Sequence, residues 1–386
     1  MAIKVGRGAT APPFMVMDVI AAANARQASL HPDAPGVIRM EVGQPGTGAP
    51  EGAVEAAMRA LRTRQPMGYT EAFGRQSLRA RIAEHYRQWY GLEVPASRIA
   101  VTAGASGAFP LAFLAAFDPG DRIALASPFY PPYVNILSAL GMQPVIVETG
   151  LDTRFQPNVA MLDRLDPRPH GLIVASPSNP CGTMLHPGEL AAIARWCDAN
   201  GVRLISDEIY HGIQYDQPLA TAGAASAHAV VVNSFSKYFS MTGWRIGWMV
   251  LPEDLVRPVE CMAQNMFICA PHVSQIAAEA AFDCHAELAE NVAHYRRSRD
   301  HLLRILPRAG FDRLSPAEGA FYLYADVSGR SNDSAAFCAR MLTETSVAAS
   351  PGVDFDRTRG NRFVRFSYCA AYADIAEATS RLAGWR

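Results

Sequence analysis

Neither a cationic stripe, a cysteine framework nor a long apolar run is present in this chain. Its 35 Lys and Arg stand against 36 Asp and Glu, a formal net charge of -1. Nucleic-acid binders concentrate cations on one face, and here the two signs are interspersed. The densest basic stretch, Arg296, Arg297, Arg299 and Arg304, is diluted by Asp300 and His301, as on the solvated face of a helix. The 7 cysteines lie scattered from Cys181 to Cys369, none in CxxC spacing. No disulfide framework and no zinc or other metal site is expected, and a reducing compartment fits. After Pro12-Pro13 the apolar run 14–20 is interrupted by Asp18, too short and too polar for a signal peptide or a membrane span. The expectation is a cytoplasmic protein that binds neither nucleic acid nor membrane. No repeat or low-complexity tract stands out, and the glycines at 46, 48, 104 and 107 do not form a dinucleotide-binding G-x-G-x-x-G.

What is present is an ordinary globular composition of 386 residues, 49% hydrophobic, long enough for two or three domains. Helices are predicted over 51–65 and 76–90, both amphipathic, over 109–117, which is apolar, and over 189–199. Short apolar strands are predicted over 99–101, 122–126, 171–175, 202–205, 229–232 and 246–250. This alternation predicts an α/β fold with a mostly parallel sheet. Residues 271–304 then read as a long helical stretch with few strand signals, followed by strands 321–324, 347–350 and 363–366, a helix over 334–344 and a last helix from about 373. The expected division is a large domain over 41–284 and a small α+β domain over 285–386, with segment 1–40 packing on the latter.

In open α/β sheets, ligands bind at the carboxyl ends of strands. Three strand exits carry polar residues there. In Ser176-Pro-Ser-Asn179-Pro180, two prolines fence Asn179, restricting its backbone so that its amide can address a ligand oxygen; a plain surface turn is the alternative. In Ser206-Asp207-Glu208-Ile209-Tyr210, an apolar strand delivers Asp207, which either caps a helix or holds a cation. In Ser234-Phe-Ser236-Lys237, followed by Thr242-Gly-Trp-Arg245-Ile-Gly247, two hydroxyls and a guanidinium suit a phosphate. A desolvated lysine beside another cation loses basicity, which suits it to Schiff-base chemistry.

Taken in this order and spacing, these segments resemble the fold-type I pyridoxal-phosphate enzymes, specifically the class I/II aminotransferase family, over nearly the whole chain. The most specific part is Ser234-Phe-Ser-Lys237 with Met241-Thr-Gly-Trp-Arg245-Ile-Gly. The resemblance implies a seven-stranded sheet and pyridoxal 5'-phosphate held covalently by Lys237. It implies Asp207 at the ring nitrogen and Asn179 and Tyr210 at the ring oxygen. Ser234, Ser236, Arg245 and the loop Gly104-Ala105-Ser106 would hold the phosphate, with Tyr130 and Ile209 against the ring faces. Gly43 and Arg365 would meet the substrate carboxylate, with Asn179 also among the substrate-binding residues; a solvent-facing strand arginine is the alternative for Arg365. Tyr69 would reach the neighbouring subunit's phosphate, making a homodimer with shared sites. The implied reaction is ping-pong transfer of an amino group from an L-amino acid to a 2-oxo acid.

There are departures. Relatives in the nearest subgroup that prefer dicarboxylates carry a lysine where Ser106 stands, so a neutral, aliphatic or aromatic donor is favoured. Gly46-Thr47-Gly48 replaces an acidic-aromatic pair, and Gly107 a common glutamine. A C–S lyase, or a cyclising or cyclopropane-forming synthase, would use the same cofactor residues. A cofactor-sensing transcription regulator would need a DNA-binding module ahead of Gly43, where only about forty residues stand. Ser234-x-x-Lys237 also fits a serine-hydrolase pattern, but its companion motifs are missing.

Overall fold

The computed structural model describes residues 3–10, 12–64 and 66–385. Its centre is a seven-stranded sheet of β1 (Ile99–Thr102), β2 (Arg122–Ser127), β3 (Gln143–Glu148), β4 (Gly171–Ala175), β5 (Arg203–Asp207), β6 (Val230–Ser234) and β7 (Gly247–Val250). The spatial order is β1-β7-β6-β5-β4-β2-β3. Strand β7 runs antiparallel to both neighbours, and the other pairings are parallel.

The inner strands are apolar on both faces because helices cover both. Along β4, Leu172 and Val174 join one core with Leu204, Val231, Trp248 and Phe282. Ile173, between them, joins the opposite core with Ile205, Val232, Met249, Phe109 and Phe113. Helices 51–62, 76–90 and 187–200 match the expected positions closely; the expected end of the first at Gln65 lies outside the described residues.

The register decides where the chemistry goes. Ala175 pairs with Asp207, Asp207 with Val232, and Ser234 with Gly247. The exits carrying Asn179, Asp207 and Lys237 therefore open along one edge of the sheet. Helix α2 (Ala105–Ala116) begins at that edge too, four residues earlier than the expected 109.

A second, antiparallel sheet contains β8 (Arg313–Leu314), β9 (Tyr322–Asp326), β10 (Ser350–Pro351) and β11 (Phe363–Ser367), in the order β10-β11-β9-β8. Helix α1 (Met15–Ser29) is tied to this region: its first N–H groups, on Met15 and Val16, donate to the Asp354 carboxylate at 3.1 and 3.2 Å. Ile38–Arg39 pairs in parallel with Val347–Ala348. The strand expected over 347–350 is thus two, because its first half pairs with Ile38–Arg39 and its second with β11. The helical stretch expected over 271–304 consists of two helices, His272–Ala281 and His285–Ile305. No helix among the described residues is long and apolar enough to cross a membrane.

Where β7 begins, the backbones of three elements close on Gly247. A Cβ there would lie 2.8 Å from the Asn233 carbonyl oxygen and 2.9 Å from both Ala105 N and Gly104 C. These are backbone atoms that cannot rotate away. Gly247→Ala is expected to destabilise the apo-protein by about 1–3 kcal/mol in denaturant unfolding. Gly243→Ala, with nothing within 4 Å of the added carbon, serves as the control and should leave the midpoint in place.

Candidate active site

A cavity of about 270 Å³ opens at the carboxyl edge of the large sheet. Lys237 reaches it from the loop after β6, and Nζ donates to the Gly43 carbonyl oxygen at 2.6 Å. Gly43 must be glycine, because a Cβ would fall 1.9 Å from the Tyr322 hydroxyl oxygen. The lysine tip faces the cavity while protein surrounds its stem. Burial, aided by the charges of Arg365 and Arg245, lowers its pKa to about 8, against raising effects from Cys369 and Asp207. A sizeable share of neutral amine at physiological pH follows, as a nucleophilic lysine requires.

One end of the cavity is built for an anion. Helix α2 points its N-terminus there through Ala105 and Ser106, where unsatisfied N–H groups favour negative charge. Gly104 does not line the cavity. It lies under Arg245, where a Cβ would meet Nη2 at 2.4 Å, and its φ of +72° suits glycine. Arg245 donates through Nη1 to the Thr242 carbonyl at 2.9 Å and has no ion-pair partner among the described residues. The Ser236 N–H donates to Ser234 Oγ at 3.1 Å, and the two hydroxyl oxygens lie 3.0 Å apart.

Asp207, at the end of β5, is buried. Its Oδ1 accepts the Ile209 N–H at 3.1 Å, and its Oδ2 accepts the Tyr133 hydroxyl. Burial raises its pKa to about 6, against the lowering effects of Tyr133, the Ile209 N–H and Lys237. Tyr130 and Ile209 line the space in front of it. The Tyr210 and Tyr322 hydroxyl oxygens are 2.8 Å apart.

Arg365 is 2% exposed, and so not a solvent-facing strand residue. Nη1 donates to Asn179 Oδ1 at 2.8 Å, and Nη2 donates to the Glu41 carbonyl at 2.5 Å and to Ser350 Oγ at 3.0 Å. The Tyr322 ring lies 4.6 Å from its guanidinium carbon. Its Nε is buried with no protein acceptor, an orphan of the kind a ligand oxygen satisfies. With Asn179 Oδ1 occupied by Arg365, the amide NH₂ remains free to donate toward the cavity that Asn179 lines.

The structure thus gathers Gly43, Ala105, Ser106, Tyr130, Asn179, Asp207, Ile209, Tyr210, Ser234, Ser236, Lys237, Arg245 and Arg365 around one space. Gly104 stands just behind it. Tyr69 is elsewhere: it is 82% exposed and does not line the cavity of its own chain. Sequence reasoning missed Tyr133, Tyr322 and an apolar wall of Phe14, Val16 and Ile20. The i, i+4 spacing of Val16 and Ile20 was the available signal for the wall; the position of Tyr322 had none. The donor set suits pyridoxal phosphate: an N-terminal helix turn with Arg245 and two serines for the phosphate, a buried carboxylate for the ring nitrogen, and a lysine between them.

A lysine whose folded pKa is depressed penalises the folded state while it is charged. The unfolded chain binds more protons between about pH 8 and 10.5, so stability rises with pH across that window. Lys237→Met removes the penalty. The apo variant is expected to be more stable than the parent by up to about 3 kcal/mol below pH 8, the gap closing toward pH 10.5. Thermal unfolding across this range checks it; a gap independent of pH would contradict the burial of charge.

Residues 35–382 match the family Aminotransferase class I and II. The chain is 50% identical to a valine–pyruvate aminotransferase of Mycobacterium tuberculosis, over 100% of this chain and 99% of the relative. It superimposes with TM-score 0.96 on the crystal structure of an aminotransferase from the same organism, at 50% identity, covering 100% of this chain and 99% of that one. Against the aspartate aminotransferase of Thermus thermophilus with maleate the TM-score is 0.92 at 30% identity, covering 99% of each chain. The chain belongs to the class I and II aminotransferases, a family of pyridoxal-phosphate-dependent enzymes.

Proposed function

We propose that this aminotransferase holds pyridoxal 5'-phosphate in the cavity and moves the amino group of a neutral L-amino acid, aliphatic or aromatic, to a 2-oxo acid in a ping-pong exchange. The observation that carries the reading is a charge imbalance: Lys237, Arg245 and Arg365 line the cavity against the single carboxylate of Asp207. Arg245 answers a phosphate, Arg365 answers an α-carboxylate, and Lys237 is committed to the chemistry. Among the described residues that line the cavity of one chain, no cation is left for a second substrate carboxylate. The remaining wall is apolar or aromatic, from Phe14, Val16, Ile20, Tyr130 and Tyr322. The relative that acts on valine and pyruvate supports the same donor class.

When bound, pyridoxal phosphate supplies a ring that withdraws the electron pair left at the substrate Cα. The chain's residues do the rest. Lys237 Nζ, neutral in part at pH 7, takes and returns the proton at Cα, a contribution of about 10²–10⁴-fold. Asp207 would keep a proton on the ring nitrogen by placing a buried negative charge beside it. Tyr210 and the Asn179 amide would hold the ring oxygen, while Ser234, Ser236, Arg245 and the start of α2 would hold the phosphate. Arg365 fixes the α-carboxylate with its Nε and the outer edge of its fork. The relatives reported above are aminotransferases and lend nothing to a C–S lyase or a cyclising synthase.

With pyruvate as acceptor, kcat/KM for valine, leucine or phenylalanine is expected to exceed that for aspartate and glutamate by at least about tenfold, the value of one uncompensated charge contact of roughly 1.4 kcal/mol. Aspartate as the best donor would overturn the reading. Arg365→Met should lower kcat/KM for every donor by roughly 30-fold or more, because all share the α-carboxylate.

The reading includes a homodimer in which Tyr69 completes the phosphate end of the neighbouring site. Its support is local. The segment around Tyr69 is seated against the helix beginning at His272, by a Gly68 carbonyl 2.9 Å from His272 Nδ1 and a Gln275 side-chain N–H donating to Thr70 Oγ1 at 3.1 Å. Beside that helix, Met266, Phe267 and Ile268 stay partly exposed, Ile268 at a left-handed φ of 64°. Co-expressed Lys237→Ala and Tyr69→Ala chains should regain activity that neither homodimer has. A monomer in sedimentation, or no regain, would sink the shared site.

A further inference from the structure

We infer that Tyr133 is a positioning residue for the reaction: its hydroxyl, donated to Asp207 Oδ2, holds that carboxylate in place and in its ionised form. The proposal rests on the assignment of Asp207 to the cofactor's ring nitrogen made above.

The geometry leaves Asp207 little other support. It is 3% exposed at the end of β5. Among the described residues two donors reach it, the Ile209 N–H on Oδ1 and the Tyr133 hydroxyl on Oδ2. It forms no ion pair among the described residues. A desolvated carboxylate with so few donors drifts toward its neutral form, and a neutral acid cannot hold a proton on a ring nitrogen. A hydrogen bond to the charged form opposes that drift.

Tyr133 is built to be a fixed donor. It is the second residue of the helix Pro132–Ala139, on a different element from Asp207. Its ring is 3% exposed, edge-on to Phe109 at 5.2 Å and to Tyr130 at 5.4 Å. Two aromatic walls therefore set the ring, and the ring sets the hydroxyl. The same phenol lines the cavity, so the interaction lies where the cofactor ring would sit. Burial and the Asp207 charge push the Tyr133 hydroxyl well above the usual tyrosine range, so it remains a donor at every pH of interest.

The titratable groups that face Asp207 are Lys237, Tyr133, Tyr130, Tyr210 and the adjoining Glu208. Of these, Lys237 and Tyr133 favour the ionised carboxylate. Lys237 is bonded to Gly43 instead, so the phenol is the side chain in direct contact.

Tyr133→Phe keeps the ring and removes one oxygen. The apo-protein, labelled with ¹³C at aspartate carboxyls, gives the direct test, with Asp207→Asn identifying the Asp207 resonance. Its titration midpoint is expected to rise by about one to two pH units in Tyr133→Phe, the size of one hydrogen bond to a charged group. The sign in stability follows: an acid whose folded pKa is raised has its stabilisation fully present below its unfolded pKa and lost as pH rises through the folded one. The apo variant should therefore lose stability over a window reaching to higher pH than the parent. In the loaded enzyme, the acid limb of kcat/KM against pH should move up by a similar amount. An unmoved Asp207 midpoint overturns the proposal, since a tyrosine that only packs would leave it in place. A moved midpoint with an unmoved acid limb upholds the coupling and removes Asp207 from the ring nitrogen.

Discussion

The lateral register of four strands is the constraint on which this site depends. Because Ala175 lies beside Asp207, Asp207 beside Val232, and Ser234 beside Gly247, the exits of β4, β5 and β6 stand about one strand spacing apart, roughly 4.8 Å. That spacing brings an amide, a carboxylate and a lysine from three distant stretches within the span of one small aromatic ligand. A slip of one residue in β5 would turn Asp207 to the opposite face and bring the neighbouring Ser206 to the face it leaves. The apolar runs that hold the register, such as Leu172-Ile-Val174 and Val230-Val-Val232, are thus the first determinant of the chemistry, although none of them touches a ligand.

The site is held at a cost to the fold. Lys237 is kept partly neutral by burial, Asp207 is kept ionised against it, and Arg365 retains an orphan Nε in the interior. Each would be better solvated in an unfolded chain. What compensates is ordinary packing: Trp248 and Phe235 on one side of the sheet, Phe109 and Phe113 on the other, all buried. Pre-organised polar groups and a large apolar core are in this sense one design, the second supplying the stability that the first consumes.

Most of this framework could be read in the sequence because central parallel strands are short, apolar and punctuated. The exits after Val174, Ile205 and Val232 announce themselves by an abrupt change to polar residues. The edge strand Gln143–Glu148 could not be read so, since its side chains are mostly exposed or half-exposed and its pattern is mixed. The helix Glu253–Met266 was hidden by Pro258 inside it. Tyr133 carried a signal that was not used: Pro132 at the first helical position marks a helix start and would have placed Tyr133 on its first turn, facing the strand end. Tyr322 had no local signal at all. It comes to Tyr210 and Arg365 through the pairing of β9 with β11, a contact between segments that no short-range pattern encodes.

The apolar wall shows the same limit. Phe14, preceding α1, offers no side chain to cap that helix, and the sequence gives no reason for the helix to start there. Asp354 does the capping from more than three hundred residues away, accepting from Met15 and Val16. Asp354 follows β10, and β10 pairs with β11, the strand that carries Arg365. The cavity-lining residues Val16 and Ile20 are therefore fastened to the same piece of structure as Arg365. On the proposed reading, the groups for the two ends of an amino acid are linked through the Asp354 hydrogen bonds to α1.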